Sequence, residues 1–189
     1  MASQRSVDKW KMKKWFSVYA PAVFNDIVVG EMPANDDKSA LGRRVVVSMD
    51  VLTKNPAHAY TNVVLKVVDV KGDAAHTKVV SIEQLYSYMR SLVRRYRSVS
   101  DSVLPIMTKD NVQIVIKLIA ITKGRTTHVK LIGIRKEMND MASNFLKEHT
   151  ASEVMSAIIE GKLQAELQSN LDHITGINKV EIRKLEVGG

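Results

Sequence analysis

Two tryptophans, Trp10 and Trp15, stand among five cations, Arg5, Lys9, Lys11, Lys13 and Lys14, with Asp8 the one acid in that segment. Ammonium groups on flexible stems neutralise phosphates in many geometries, and a guanidinium adds a bidentate fork. An indole beside them offers a face on which an unpaired base stacks, worth about 1–3 kcal/mol. A second set, Arg90, Arg94, Arg95 and Arg97, places four guanidinium groups within eight residues. One or two cations suit a helix end, where carbonyls are unpaired; four exceed that need and suit phosphates. A third set, Lys123, Arg125, Lys130, Arg135 and Lys136, falls in a stretch from 123 to 136 that holds no acid. Arg43 and Arg44 add a fourth pair.

These residue types read as contacts to the backbone of a folded RNA. Each neutralised phosphate adds about −0.7 to −0.9 to the slope of log K against log salt. No RNP signature and no G-x-x-G loop occurs, so neither an RRM nor a KH module is implied. The clusters are distant in sequence and are expected to converge into one continuous cradle. Trp10 is open between packing and stacking. Trp15 adjoins an apolar run and is expected in the core, where truncation to alanine would cost about 3–5 kcal/mol.

Other chemistry lacks its residues. There is no cysteine, and the five histidines, 58, 76, 128, 149 and 173, never fall at the i, i+4 spacing of a helical metal site. No P-loop, dinucleotide fingerprint or G-x-S-x-G elbow is present. Asp50, Asp69 and Asp73 sit at strand ends, where they serve as turn residues. Neither an enzyme, a metal nor a cofactor is expected.

The chain has 189 residues, a net charge of +8 and a pI near 9.6, with 45% hydrophobic and 25% charged residues. That balance suits one globular domain with a core of Val, Ile, Leu and Met. The charge favours an anionic partner. No apolar run reaches the eighteen or so residues of a membrane helix, and no secretory leader is visible.

The elements that must position the cations follow in order. Residues 1–14 read as a basic arm and 15–189 as a single domain. That domain divides into a strand-rich part over 20–134, a helical part over 135–175 and a strand over 177–187. Ile27 to Val29 reads as a short strand broken by Gly30 and Pro33, and Val45 to Leu52 as another. Tyr60 to Val70 and Ala75 to Val80 form a hairpin or meander. Ser81-Ile82-Glu83-Gln84 has capping-box spacing and opens a helix near 81–97. Val99 to Met107 is extended, with Pro105 favouring an edge. Val112 to Thr122 is a central strand covered on both faces. His128 to Ile134 is a weaker strand or lead-in, and Thr150-Ala151-Ser152-Glu153 caps a further helix. The fold class is α+β.

The run Lys14 to Phe24, KWFSVYAPAVF, resembles the signature W-[YF]-x-V-x-A-P-x-x-F near the start of a ribosomal protein family. This is the archaeal and eukaryotic small-subunit family called S-three-Ae, or eS-one. The order of elements agrees: Gly42-Arg43 before a Val-rich strand, the Arg-rich helix, the Val112–Thr122 strand, and Ile134-Arg135-Lys136-Glu137-Met138 at a helix start. Thr127 to Gly133 departs from the family, which is longer and more polar there. The resemblance implies a mostly antiparallel, barrel-like core with helices around it, in a cytoplasmic structural protein of the small ribosomal subunit. Its partners would be the 3′ region of small-subunit rRNA on the platform, neighbouring platform proteins and mRNA near the exit, with no membrane. Short terminal extensions point to an archaeal member. The alternative is a free RNA-binding or chaperone-like factor.

Overall fold

A computed structural model describes residues 10–188. The elements are β1 (Lys14–Tyr19), β2 (Val28–Ala34), α1 (Asp37–Ala40), β3 (Arg44–Ser48), α2 (Met49–Thr53), β4 (Thr61–Lys71) and β5 (Ala74–Gln84). They continue with α3 (Tyr86–Leu92), β6 (Val99–Met107), β7 (Gln113–Thr122), α4 (His128–Glu148), α5 (Ala151–Ile159), α6 (Lys162–Leu171) and β8 (Ile177–Val187).

The fold is built outward from β5. Ala75, Thr77 and Val79 bury one side, joined by Ile82 after a bulge at Val80, and β4 answers with Val63, Leu65 and Val67. Gly72, at φ +59°, turns the chain between them. β4 pairs along one edge of β5. The other edge is shared: Ala74–His76 pairs in parallel with β1, and Ser81–Glu83 pairs antiparallel with β8. Two wings therefore leave the same edge, β1–β2 from one end and β8–β7–β6 from the other. β3 lies outside β4. The eight strands form one mostly antiparallel sheet, and that sheet is not closed.

The main core lies between the β7–β8 wing and the helices. Ile114, Ile116, Leu118 and Ala120 of β7 meet Ile134, Met138, Ala142 and Leu146 of α4, with Leu163, Leu167 and Leu171 of α6. Ile119 and Ile121 point to the opposite face, onto Met89 of α3, so β7 is covered on both sides. Phe16, Val18, Met32, Ala34, Ala40, Val67 and Ala75 make a separate core under the β1–β2 wing. Thr150 and Glu153 form the expected capping box of α5. Gly161, at φ +76°, separates α5 from α6.

Four expectations are corrected. The helix expected from Ser81 is strand until Gln84, because Ser81 and Ile82 pair on both edges and are buried. A cap worth about 1 kcal/mol does not compete with two ladders. The helix that follows is only Tyr86–Leu92, so Arg94, Arg95 and Arg97 lie beyond it. β2 runs through Gly30 and Pro33, since an edge strand tolerates a missing donor. β3 stops at Ser48 and Met49–Thr53 is helical, burying Met49 and Leu52 three residues apart. The apolar run from His128 to Ile134 is the first third of α4, laid along β6.

Candidate nucleic-acid interface

Strand alternation places the first cluster. Phe16 and Val18 face inward from β1, so Trp15 faces out and is 55% exposed, against 0% for Phe16. The expectation that Trp15 packs in the core is therefore wrong. It meets Trp10 edge to face instead, an arrangement that the ring quadrupoles favour. The Lys13 Nζ lies 4.2 Å from the Trp10 ring centroid. Lys11 and Lys14 are exposed beside the pair. Pro33 sits opposite Trp15, and Arg43 Nη1 donates to its carbonyl at 2.7 Å. The cation–aromatic patch thus holds Trp10, Lys11, Lys13, Lys14, Trp15 and Arg43. Arg5 and Lys9 lie outside the described residues. Arg44 stands apart on β3, opposite Lys66.

The second patch forms where β6 begins and β7 ends. Thr122, 1% exposed, joins the two connecting loops. Its hydroxyl accepts the Ser98 N–H at 2.9 Å and donates to the Gly124 carbonyl at 2.6 Å. Its own N–H donates to the Ser98 carbonyl at 3.0 Å, and the Thr126 N–H donates to Ser98 Oγ at 3.0 Å. Segment 93–98 is thereby fastened to segment 123–127. Arg94, Arg95, Lys123 and Arg125 are exposed there, with Lys130 following in the first turn of α4. Arg97 is half-buried, its Nη1 donating to the Leu92 carbonyl at 3.4 Å.

Two aromatics in this region were missed by the sequence reading. Tyr96 projects from the turn with the Arg125 guanidinium 5.2 Å from its ring, and Tyr86 lies beneath Arg90 at 5.3 Å. Both fall within the helix expected near 81–97. The real helix ends before Tyr96, which frees that ring.

Charges elsewhere are consumed internally. Lys184 sits 3.2 Å from Glu83 and 3.0 Å from Glu186, and Lys117 reaches Glu186 at 3.4 Å. Its hydrogen bonds to Glu186 and Glu83 raise the Lys184 pKa; the bond to Lys184 chiefly lowers that of Glu186. Lys179 contacts Glu181 at 2.6 Å. Burial disfavours its charge, yet bonds to Glu181 and Tyr88 outweigh that and raise its pKa. By contrast, none of the ion pairs among the described residues uses Arg94, Arg95, Arg97 or Arg125. Lys123 stands 3.9 Å from Asp172, and Arg135 stands 3.6 Å from Asp101. Lys136 is exposed on α4.

Contacts among the described residues gather these cations into two groups, one on β1 and one where β6 begins and β7 ends. β1 joins β5 near Ala75, while the second patch is reached past Glu83 and along β8 to Ile177, which pairs with Thr122. Measured as strand length, that path covers about fifteen residues, or roughly 50 Å at about 3.3 Å per residue.

A cavity of about 320 Å³ is lined by His58, Tyr60, Tyr88, Glu160, Lys179 and Glu181, among others. Its buried carboxylate is already engaged: Glu181 accepts from Gln84 at 2.7 Å and Tyr88 at 3.1 Å besides pairing with Lys179. Glu160 pairs with Lys162. Neither acid is set against His58 as an acid–base couple.

A family model described as the Ribosomal S3Ae family matches residues 1–188. The chain is 34% identical over 188 residues to the "Small ribosomal subunit protein eS1" of Sulfurisphaera tokodaii, covering 99% of this chain and 97% of that one. It is 34% identical to the protein of the same name from Saccharolobus islandicus, over 95% of this chain and 86% of the other. With that of Haloarcula marismortui it shares 30% identity, over 96% and 86%. Matched along nearly its whole length by the family and by these archaeal proteins, the chain belongs to the Ribosomal S3Ae family as an archaeal eS1 member.

Proposed function

We propose that this chain is a structural, non-catalytic constituent of the small ribosomal subunit in the cytoplasm, and that it holds small-subunit rRNA through its two patches. The observation that carries the reading is the contrast in charge. Glu83, Glu181 and Glu186 are neutralised by lysines within the sheet, while Arg94, Arg95 and Arg125 stand exposed without a carboxylate among the described residues. Unneutralised arginines beside exposed rings suit phosphates and unpaired bases. The relatives' name, small ribosomal subunit protein, supports the same assignment.

In this reading residues 15–189 act as one domain. Arg5 and Lys9, in the arm over 1–14, add phosphate contacts. Arg44, Arg90, Lys130, Arg135 and Lys136 add peripheral phosphate contacts. The bulges at Val64/Leu65 and Val67/Asp69 add twist to the β4–β5 hairpin, and this supports a barrel-like wrap of the sheet. The family resemblance favours a seat on the platform, against the 3′ region of the rRNA and neighbouring platform proteins, near the mRNA exit.

Sedimentation of a lysate tests the assignment. The protein is expected to travel with small subunits at physiological salt and to be released as salt rises. A protein that stays at the top of the gradient at physiological salt would be a free RNA-binding factor.

A further inference from the structure

We propose that Tyr96 is a stacking platform for a single unpaired base of RNA, with Arg125 as its backing and the neighbouring arginines as phosphate clamps. The inference rests on the RNA-binding reading above and names what one patch recognises.

Backbone geometry is the first support. Tyr96 has φ +66°, a left-handed conformation that bulky L-residues rarely adopt. The other non-glycine residues with positive φ among the described ones are Asn25, Asp26, Asn111 and Lys54. Asn and Asp tolerate that region through their short polar side chains, and Lys54 closes the C-terminus of α2. Tyr96 takes the third position of the 94–97 turn, closed by the Arg97 N–H donating to the Arg94 carbonyl at 3.3 Å, a place that glycine or asparagine ordinarily fills; its ring is not being driven into the core, since the residue is 72% exposed. An unfavourable backbone held in order to present an apolar ring to solvent points to a use for the ring.

The surroundings supply the second support. The Arg125 guanidinium is 5.2 Å from the Tyr96 ring, so a cation already covers part of it, as cation–π attraction favours. The turn is held to the β7 end through Thr122 and Ser98, so the platform is fixed before a ligand arrives. Arg94 and Arg95 precede the ring directly and are exposed. A ring flanked by arginines on a rigid turn fits a base displaced from its helix, with the phosphates on either side gripped by guanidinium groups.

The test uses the full chain and two RNA hairpins, one fully paired and one carrying a single bulged fluorescent adenine analogue. The parent should bind the bulged hairpin more tightly and quench its fluorescence. Tyr96→Asn keeps a residue suited to positive φ, so its thermal midpoint should equal or exceed that of the parent. Its affinity for the bulged hairpin should fall about 5- to 150-fold, with the paired hairpin unaffected. Tyr96→Phe should retain both affinity and quenching. Equal binding and quenching of the bulged hairpin by parent and Tyr96→Asn would overturn the platform while leaving charge-based RNA binding intact. A parent that binds neither hairpin at physiological salt would overturn both.

Discussion

Trp10 meets Trp15 edge to face, with ring centroids 6.4 Å apart and planes at 88°. This pairing lies outside the fold, one residue away from Phe16, which is fully buried. Adjacent residues on a strand face opposite ways, so the two rings have opposite duties. Trp15→Ala is expected to change stability by no more than about 1 kcal/mol, while Phe16→Ala should cost about 3–5 kcal/mol. Urea unfolding of the two variants decides this. Equal losses would contradict the outward placement of Trp15.

Thr122 should behave as a structural fastening rather than a surface residue. Thr122→Val keeps the shape but removes the hydroxyl that Ser98 N–H and the Gly124 carbonyl use. The expected loss is about 1–3 kcal/mol, the cost of leaving buried polar groups unpaired. Amide exchange at Ser98 should accelerate more than at the centre of β5. Unchanged protection at Ser98 would mean that the loops are held by something else.

The Lys184 lattice gives a pH dependence of definite sign. The Glu186 carboxyl is held below its ordinary 4.5, chiefly by its bond with Lys184. Its contribution is present above pH 4.5 and is lost as pH falls through the depressed folded value. The Lys184 ammonium is held above its ordinary 10.5 by Glu186 and Glu83. That contribution is present below pH 10.5 and is lost as pH rises through the raised folded value. Both groups are partly exposed, so screening keeps the effect small. Lys184→Met should flatten both limbs of a plot of urea midpoint against pH. Limbs as steep as those of the parent would show that the lattice does not couple to folding.

Much of this fold was legible from side-chain period alone. Val63, Leu65 and Val67 alternate, β7 is a long β-branched run, and Thr150 and Glu153 stand at capping distance. What failed was wherever a tertiary partner overruled a local signal. Ser81 has the spacing of a cap, yet β4 and β8 claim it from both sides. His128 to Ile134 is apolar enough for a strand, but it packs as helix on β6. At the site, the cations were named from clustering, whereas their division into two patches depends on how β1 and β8 share one edge of β5. Tyr96 escaped because nothing in sequence announces a positive φ at a tyrosine. Trp15 was misplaced because its apolar neighbours suggested a core and the strand phase was not known.

The cations should differ in their contribution to RNA binding. Arg135 faces Asp101 at 3.6 Å, while Arg94 has no such partner among the described ion pairs. Arg94→Glu should therefore weaken rRNA binding more than Arg135→Glu. It should also reduce the salt slope by about 0.7–0.9 for each phosphate that is no longer neutralised. Filter binding across a salt series measures both quantities. A larger effect at Arg135 would move the interface onto the outer face of α4.

The most direct measurement is a chemical footprint on small-subunit rRNA, with and without the protein, repeated with Arg94, Arg95 and Arg125 all replaced by glutamate. The parent should protect discrete backbone positions in two separated groups. The triple variant should lose one group while its unfolding midpoint stays at that of the parent. A footprint that the triple variant reproduces in full would show that the patch at the β6–β7 end does not hold the RNA.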